Sequence, residues 1–196
     1  GAGNLGHNNT TNKSSPTQIP GTTWGSEIGA GYNIFGGIKT DGTLWTLGQN
    51  GGGVLGQNNP PSIKYSSPVQ IPGTTWNKLA VTADNMAAVK TDGTLWGWGG
   101  NIYGELGQNN AIRYSSPIQI PGTTWADVSQ GYYAFHATKT DGTLWSWGYN
   151  VLYGNLGNNT IINYSSPIQI GTDTNWDISK VAGQYASYAS GALKIV

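Results

Sequence analysis

The sequence contains no cysteine and very little charge. Without cysteine there can be no disulfide framework, no thiolate zinc site and no cysteine nucleophile. Charged residues are 9% of the 196 residues, against about 25% in an average protein, and nine basic residues balance nine acidic ones. A neutral chain without a basic stripe suits neither nucleic acid nor an anionic membrane surface. No apolar run is long enough to insert into a bilayer, so we expect neither kind of partner.

Groups that could do chemistry are also scarce. The two histidines, His7 and His136, have neither a Ser-and-Asp arrangement nearby in sequence nor His-x3-His spacing, so neither a hydrolase triad nor a zinc site is indicated. The glycine run at 51–53 lacks the Gly-Lys-Ser/Thr that a phosphate-binding loop requires. The sequence therefore predicts a protein that is not an enzyme and that carries no cofactor and no metal.

Glycine, tryptophan and short repeated phrases are what the sequence has in abundance. It holds 31 Gly and nine Trp, and the phrase Lys-Thr-Asp-Gly-Thr-Leu-Trp occurs at 39–45, 90–96 and 139–145. Asp-Gly between two alternating apolar runs favours a hairpin with a type I′ turn, in which both central residues take positive φ. We therefore interpret the following pairs as structural turns and not as a set of catalytic carboxylates: Asp41 and Gly42, Asp92 and Gly93, Asp141 and Gly142.

Four markers recur with a period of roughly 50 residues, which identifies an internal repeat. They are the Asp-Gly turn, a Ser-Ser-Pro triplet, a Trp that follows the triplet, and a Leu-Gly pair. The triplet begins at Ser14, Ser66, Ser115 and Ser165. The sequence thus predicts a single repeat domain over residues 1–196, with units at 1–23 (partial), 24–75, 76–124, 125–175 and 176–196 (partial).

The unit that starts at Trp125 shows the expected strands most clearly. Apolar alternation predicts strands at 127–129, 134–140 and 143–148, and a fourth at 168–170, whose first position follows Pro167. Proline is tolerated at the start of a strand, and no stretch shows helical periodicity over ten residues. Four short antiparallel strands in a repeat of this length are typical of a β-propeller blade. The predicted fold class is all-β, a propeller of about 3.5–4 blades.

The order of features within a unit resembles a known repeat family. In the unit that starts at Trp125, Gly131 marks the bend, Trp147-Gly148 ends the strand after the Asp-Gly turn, and Gly154-x-Leu156-Gly157 follows in a long loop. This pattern resembles the regulator of chromosome condensation repeat family, and the resemblance implies a β-propeller, usually of seven blades. Many members carry a histidine three residues after the bend glycine, where this chain has Ile34, Met86, Ala134 and Ala186. The repeats are unusually similar to one another, and in this respect the chain resembles bacterial, phage or metagenomic members of the family.

The markers are unequal in number, with three Asp-Gly phrases against four Ser-Ser-Pro triplets. We interpret this as a ring that is incomplete within the chain. The expectation is a piece of a longer chain, or a homo-oligomer in which another copy completes the ring. Both are favoured over a monomer that residues 1–20 close, because an open end leaves unpaired strand edges.

The repeats differ most in the bend after the first strand, and next in the long loops at 102–103, 151–153 and 161–162. Propeller geometry puts the bends on one face, and Tyr and Asn suit adaptable recognition surfaces. The Trp residues, which repeat in every unit, are instead interpreted as blade packing. We predict that the bends bind a protein or a glycan through Tyr32, Asn33, Asp84, Asn85, Tyr132, Tyr133, Gln184 and Tyr185.

These features favour a non-enzymatic recognition or structural module, placed outside the cell or on the surface of a virus, phage particle or cell. The resemblance offers two alternatives. One is a secreted inhibitor similar to the β-lactamase inhibitory propeller of the family, which would use the same aromatic bends. The other is a guanine-nucleotide exchange factor like the founding member, a role that needs a charged GTPase-binding face that this chain lacks.

Overall fold

The computed structural model describes residues 3–178 and 193–194, which form β-strands and one 3-10 turn at Gly51–Gly53. Within these residues no helix has the length and apolar character to cross a bilayer. The strands are β1 Trp24–Ala30, β2 Ile34–Lys39, β3 Leu44–Gln49, β4 Lys64–Gln70, β5 Trp76–Val81, β6 Asn85–Lys90, β7 Leu95–Gly99, β8 Tyr114–Ile120, β9 Trp125–Gln130, β10 Ala134–Lys139, β11 Leu144–Gly148, β12 Tyr164–Ile170, β13 Trp176–Asp177 and β14 Leu193–Lys194.

The strands form consecutive antiparallel sheets, each drawn from one stretch of chain. β1–β4 form blade 1, β5–β8 blade 2 and β9–β12 blade 3, and β13 pairs with β14 in a two-stranded sheet. The predicted all-β propeller architecture is confirmed. The described residues contain three complete four-stranded blades and one further strand pair, so about three blades are present.

Because each blade is an antiparallel meander, the connections between its strands lie at two opposite ends, which form two faces of the row of blades. The bends between the first and second strands and the long loops between the third and fourth strands lie at one end of the strands, which we call the bend face. The Asp-Gly hairpins and the links from one blade to the next lie at the other end, the hairpin face. Every bend that the sequence analysis singled out within the described residues therefore belongs to one surface.

The Asp-Gly hairpins have a different turn from the one predicted. In the first of them the N–H of Gly42 donates to the carbonyl of Lys39 at 2.9 Å, and the N–H of Lys39 donates to the carbonyl of Thr43 at 2.9 Å. Gly42 takes a φ of +77°, whereas Asp41 is not among the residues with positive φ. These bonds describe a type I turn followed by a left-handed glycine. The prediction of type I′ was wrong, because the loop has three residues instead of two.

The Ser-Ser-Pro triplets also behave differently from expectation. Pro167 lies inside β12 and not at its start, since that strand runs from Tyr164 to Ile170. β12 is the outer strand of its sheet, and the β11–β12 register shifts between Ser146 and Gly148, next to this proline. An outer strand with a bulge tolerates a missing N–H donor. The copy at Ser14 lies in an irregular segment, so three of the four triplets form strands.

The hydrophobic core lies between blades and not within them. One cluster joins Ile38 and Leu44 of blade 1 to Trp76 and Leu79 of blade 2. A second joins Val89 and Leu95 of blade 2 to side chains of blade 3 that include Trp125 and Val128. A single four-stranded sheet cannot enclose a core, so each blade is stable because it packs on the next. We call each of these contacts between consecutive blades a joint.

Backbone contacts repeat at every joint and set the spacing of the blades. On the bend face, the long loop of one blade bonds to the Ser-Ser-Pro strand of the next, as when Asn109 N donates to Ser165 O at 2.6 Å. On the hairpin face, Trp125 N donates to Gly93 O at 3.0 Å. The segment before blade 1 uses the same contact, since Asn8 N donates to Ser66 O at 2.6 Å.

Candidate functional site

The backbone fixes the bends in the same way in each blade. The carbonyl of the second bend residue accepts a hydrogen bond from the strand-3 exit: Asn33 from Gln49 N at 2.9 Å, Asp84 from Gly100 N at 2.8 Å, and Tyr133 from Tyr149 N at 2.8 Å. These bonds show which residues are equivalent. Tyr32-Asn33, Ala83-Asp84 and Tyr132-Tyr133 occupy the same two positions of successive blades.

This alignment corrects one predicted binding residue. Asn85 is the first residue of β6 and is fully buried, not a bend residue. Its amide donates to Gly100 O at 3.3 Å, and its carbonyl oxygen bonds to the hydroxyl of Thr82. Counting along the sequence assigned Asn85 to the last bend position, one place before its true position in the repeat. The error arises because β1 is one residue longer than β5. We assign Asn85 to the interior.

The other predicted residues reach the bend face to different degrees. Tyr32 is 66% exposed and Asp84 is exposed, whereas Asn33 is half-buried and accepts a hydrogen bond from Asn4 Nδ2 at 2.8 Å. Tyr132 and Tyr133 are half-buried. Gln184, Tyr185 and Ala186 lie outside the described residues. The structure thus brings Tyr132 and Tyr133 together, and places Tyr32 two blades away from them.

The bend of blade 3 and the neighbouring long loops form a group of four rings, which we call the tyrosine cluster: Tyr103, Tyr132, Tyr133 and Tyr149. Ring centroids lie 4.7 Å apart for Tyr132–Tyr133 and Tyr103–Tyr149, 5.5 Å for Tyr103–Tyr133 and 6.1 Å for Tyr132–Tyr149. Each ring therefore contacts two others. The interplanar angles of 56–76° are those of tilted and edge-on pairs. The cluster closes the bend-face side of the joint between blades 2 and 3.

Tyr133 stands apart among the equivalent bend residues in its backbone. It takes a φ of +51°, whereas Asn33 and Asp84 do not adopt positive φ. An aromatic residue in the left-handed region carries backbone strain, which persists where the surroundings hold it and is concentrated at functional sites. The blade-3 bend therefore differs in backbone conformation from the equivalent bends of blades 1 and 2.

A buried carboxylate lies beside the cluster. Glu105 is 2% exposed, and its Oε2 accepts a hydrogen bond from Tyr103 N at 2.7 Å. Burial raises the pKa of the Glu105 carboxyl and the Asp84 carboxylate adds to the rise, against hydrogen bonds from the backbone N–H groups of Glu105 and Tyr103. The equivalent positions in the Gly-x-Leu-Gly motif of the other blades are Val54 and Asn155. Glu105 is therefore a property of this one joint.

Sequence reasoning missed Glu105, and it also missed the residues that hold the long loops in place. Asn101 is buried, accepts from Leu106 N at 2.9 Å and donates to Ile112 O at 2.8 Å. Asn50 and Asn150 make the equivalent bonds to Leu55 N and Leu156 N in their own loops. The signal was available, because these Asn residues recur with the period of the repeat. These hydrogen bonds hold in place the loops that carry Tyr103 and Tyr149.

The repeated phrase on the hairpin face has a structural role. Asp92 Oδ1 accepts from the hydroxyl of Thr94 at 2.6 Å, and that hydroxyl accepts from Trp96 Nε1 at 2.9 Å. Lys90 Nζ lies 4.6 Å from the ring centroids of both Trp76 and Trp96. The same arrangement occurs in blades 1 and 3. The side-chain hydrogen bond from the threonine is the main reason why the pKa of each of these aspartates is lowered.

Titratable side chains are scattered over the described residues. These residues contain no group of three or more His, Asp or Glu residues that could hold a metal ion. His136 lies in β10 and is 5% exposed, and burial lowers its pKa to about 4. At neutral pH this buried histidine is therefore uncharged.

Comparison with known proteins identifies the repeat. The family model described as the regulator of chromosome condensation (RCC1) repeat matches residues 92–134 and 141–186. The RCC2 homolog of Danio rerio is 33% identical over 113 residues, which cover 55% of this chain and 22% of that protein. Residues 92–134 and 141–186 thus match the RCC1 repeat, and the chain is similar to RCC1-like proteins. The first match spans the end of blade 2 and the bend of blade 3, and thus includes most of the tyrosine cluster.

Solved structures agree on the RCC1-like fold. Human WBSCR16 superposes with a TM-score of 0.73 at 19% identity, covering 87% of this chain and 45% of that one. Prp20p of Saccharomyces cerevisiae superposes with a TM-score of 0.70 at 18% identity, covering 86% and 44%. This chain therefore spans less than half the length of these relatives. At such low identity the likeness establishes the propeller fold and nothing finer.

Proposed function

We propose that this RCC1-like chain is a non-enzymatic recognition module that binds a protein partner through its bend face. The observation that carries the proposal is the tyrosine cluster. It lies where otherwise similar repeats diverge, and it includes a residue with strained backbone. Large, rigid tyrosine side chains bury much area at low entropic cost, which is why they are enriched in recognition surfaces.

The surroundings of the cluster favour a protein over a glycan. Ile102 is 72% exposed beside Tyr103, and Leu152 and Tyr153 are 65% and 52% exposed in the next long loop. Exposed apolar side chains at the edge of an aromatic cluster suit a protein surface that has apolar groups of its own. Relatives of the family are consistent with this partner class: Prp20p is described as binding Gsp1p and histones, and yeast RCC1 (Prp20) has been seen bound to Kap60.

Affinity capture with matched variants tests the proposal. The combined variant Tyr32→Ala, Tyr132→Ala and Tyr133→Ala removes three bend-face rings. The control, Thr40→Ala, Thr91→Ala and Thr140→Ala, removes three exposed side chains on the hairpin face. We expect the partner that the wild type captures to bind the first variant at least about tenfold more weakly and the control unchanged, since aromatic anchors each contribute about 2 kcal/mol or more. Equal binding of both variants, with unchanged circular dichroism, would rule the proposal out.

The identity of the captured partner separates the other functions. A secreted hydrolase would indicate an inhibitor, a GTPase would indicate an exchange factor, and a signal on a glycan array that the bend-face variant loses would replace the protein partner by a sugar. We further propose that the module works outside the cell or on a particle surface, a placement that its low charge and its many polar uncharged residues support. Detection of the protein only in the intracellular fraction of its source would contradict that placement.

A further inference from the structure

We infer that the hairpin face carries a groove for a neutral oligosaccharide, a second binding site on the side opposite the bend face. The groove consists of two clefts, the first at the joint between blades 1 and 2 and the second at the joint between blades 2 and 3. The inference is independent of the proposed function, because none of the residues that line the clefts belongs to a bend.

The two clefts are alike in size and in the elements that form them. The first has a volume of about 500 Å³ and lies between the Asp-Gly hairpin of blade 1 and the segment 74–77, which enters blade 2. The second has a volume of about 530 Å³ and lies between the hairpin of blade 2 and the segment 123–126, which enters blade 3. Both volumes fall in the range of roughly 300–1,000 Å³ that is usual for small-molecule sites.

The clefts are continuous with each other. Asn77 and Thr91 line both of them, and both residues belong to blade 2, so the clefts meet across that blade. A groove that presents the same groups twice suits a ligand whose own groups repeat, and an oligosaccharide is such a ligand. Two weak contacts that are joined in one ligand act together, so shallow clefts can still bind a chain of sugars.

Backbone hydrogen bonds hold the walls of each cleft in place. In the first cleft Trp76 N donates to Gly42 O at 3.0 Å, and Thr91 N donates to Thr75 O at 2.9 Å. A Cβ on Gly42 would lie 3.1 Å from Thr75 N, so the hairpin and the entering segment are in close contact. The equivalent bonds hold the second cleft. The clefts are therefore formed before a ligand arrives, and binding does not have to order them.

The clefts present hydroxyl and amide groups that the fold does not use. Thr40, Thr91 and Thr140 each follow the lysine of a hairpin, and their exposed hydroxyls bond to no other group of the described residues. The exposed amide of Asn77 is equally unbonded within that part of the chain. By contrast, the threonine after each Asp-Gly pair is bonded to the aspartate. A threonine hydroxyl and a sugar hydroxyl can each donate and accept, so they pair in either direction.

The charges of the clefts balance, which favours a neutral ligand. One lysine and one aspartate of the repeated phrase line each cleft. Glu27 also lines the first cleft, and it is paired with Lys78 at 3.1 Å. The lysines lie against tryptophan rings, and one oxygen of each aspartate accepts from a threonine. The other carboxylate oxygen can accept from a sugar hydroxyl, a charge-assisted hydrogen bond. An anionic polymer would find no excess of positive charge here.

The lining also favours a sugar over a peptide. All of its exposed side chains are threonine, serine, asparagine or aspartate. Its tryptophans, Trp76 and Trp125, are buried. A peptide that binds through apolar side chains needs apolar pockets for them, whereas a sugar is recognised through its many hydroxyl groups. The hairpin face therefore matches a polyhydroxylated ligand.

A glycan array with two triple variants tests the inference. The hairpin-face variant, Thr40→Ala, Thr91→Ala and Thr140→Ala, removes three of the unbonded hydroxyls, and the bend-face variant is the control. We expect the wild type and the bend-face variant to bind at least one neutral oligosaccharide. The hairpin-face variant, with unchanged circular dichroism, should bind the same sugar at least about tenfold more weakly, since each lost hydrogen bond weakens binding severalfold.

Three results on the array would overturn the inference. The first is that the wild type binds no neutral oligosaccharide. The second is binding confined to acidic glycans. The third is a neutral sugar that the hairpin-face variant binds as tightly as the wild type.

A single substitution and a length series test the continuity of the groove. Because Asn77 lines both clefts, Asn77→Ala should weaken binding of the hexasaccharide of the bound sugar at least about threefold. The control, Gln119→Ala, removes an exposed amide from β8 and should leave that binding unchanged. Calorimetric titration should also show the hexasaccharide binding at least about tenfold more tightly than the monosaccharide, because it reaches both clefts. Equal affinities of the two sugars would contradict a continuous groove.

The groove and the proposed function can fail separately. If capture finds a protein that the bend-face variant loses, and yet no neutral sugar binds, the recognition role stands and the groove fails. If a sugar depends on the hairpin face but no protein depends on the bend face, the groove stands without the proposed function.

Discussion

Glu105 is a single residue whose effect on the stability of the fold can be measured. Its carboxyl is buried beside Asp84, and its pKa is raised above the usual range, mainly by burial. A carboxyl whose pKa is higher in the folded than in the unfolded chain adds stability at low pH. That stability is fully present below the unfolded pKa of about 4.3 and is lost as the pH rises through the folded pKa. Ionisation of Glu105 as the pH rises therefore works against the fold.

We predict that Glu105→Gln is more stable than the wild type at neutral pH. Since the amide is never ionised, the thermal midpoint at pH 7–8 should rise by about 2–4 °C, the shift that roughly 1 kcal/mol produces in a chain of this size. The gain should shrink as the pH falls through the unfolded pKa of about 4.3, because below it the wild-type carboxyl becomes protonated in both states. Thermal melts by circular dichroism between pH 4 and 8 measure this. A variant less stable than the wild type at every pH would contradict the raised pKa.

The elements that define the joints are the long loops, and their glycines show how closely the blades approach. Gly104 takes a φ of +84°, and a Cβ on it would lie 2.5 Å from both Cα and Cβ of Ser165 in blade 3. Gly154 is the equivalent residue of the next loop, with a φ of +63°, but its nearest neighbour for a Cβ is Thr160 O at 4.0 Å. The two positions share their backbone conformation and differ in what they contact.

We predict that Gly104→Ala destabilises the chain much more than Gly154→Ala. Both variants pay about 1–2 kcal/mol for a side chain in the left-handed region. Only Gly104→Ala must also push two blades apart, which adds roughly 1–3 kcal/mol, the usual cost of overpacking. Urea denaturation followed by tryptophan fluorescence gives both free energies of unfolding. Equal losses would mean that the loop does not set the spacing between blades 2 and 3.

For the molecule as a whole, the decisive feature is the exposure of Ile28 on blade 1. Register aligns Ile28 with Leu79 and Val128, because these residues pair with Gly37, Ala88 and Ala137. Leu79 and Val128 are 9% and 5% exposed at the joints, whereas Ile28 is 58% exposed. An exposed apolar side chain at a position that blades 2 and 3 bury favours association with a complementary surface, and a head-to-tail contact can continue or close a ring.

We predict that this 196-residue chain self-associates as its concentration rises. Light scattering coupled to size exclusion should show a mass above that of one chain at micromolar concentrations, and Ile28→Lys should lower it towards that of the monomer. Ile112→Lys is the control, because Ile112 is 61% exposed on a loop and not on the sheet of blade 1. A wild type that stays monomeric at every concentration would contradict the prediction and would also weaken the expectation of a ring shared between copies.

Much of the fold was predictable because the sequence markers repeat with the period of the blades and the strands alternate apolar and polar residues. The recurrence of the markers gave the blades, and alternation placed β10 and β11 to within one residue at each end. The turn type was wrong because Asp-Gly occurs both in type I′ turns and in type I turns with a left-handed glycine, and only the pairing of Lys39 with Thr43 distinguishes them. The outer strand was predicted too short, because proline was assumed to stand at its start.

The candidate site was predictable only in part. Tyr132 and Tyr133 were found because the bends vary between repeats. Tyr103 and Tyr149 belong to other segments of the chain. Their contacts depend on how blades 2 and 3 pack, and local sequence patterns do not predict that packing. Glu105 could have been found, as the one charged residue at a motif position that is neutral in the other copies. Asn85 was misplaced because β1 and β5 differ in length by one residue.

The joints also bear on how such a protein can evolve. Every joint uses the same contacts: a long-loop N–H donates to the Ser-Ser-Pro strand, and the backbone N–H of a Trp donates to the Asp-Gly hairpin. These repeated contacts therefore do not distinguish one neighbouring blade from another. Duplication or loss of one whole unit of roughly 50 residues joins two surfaces that already fit, so blade number can change without new packing. The bend residues lie outside these repeated backbone contacts, and they can diversify while the frame is copied.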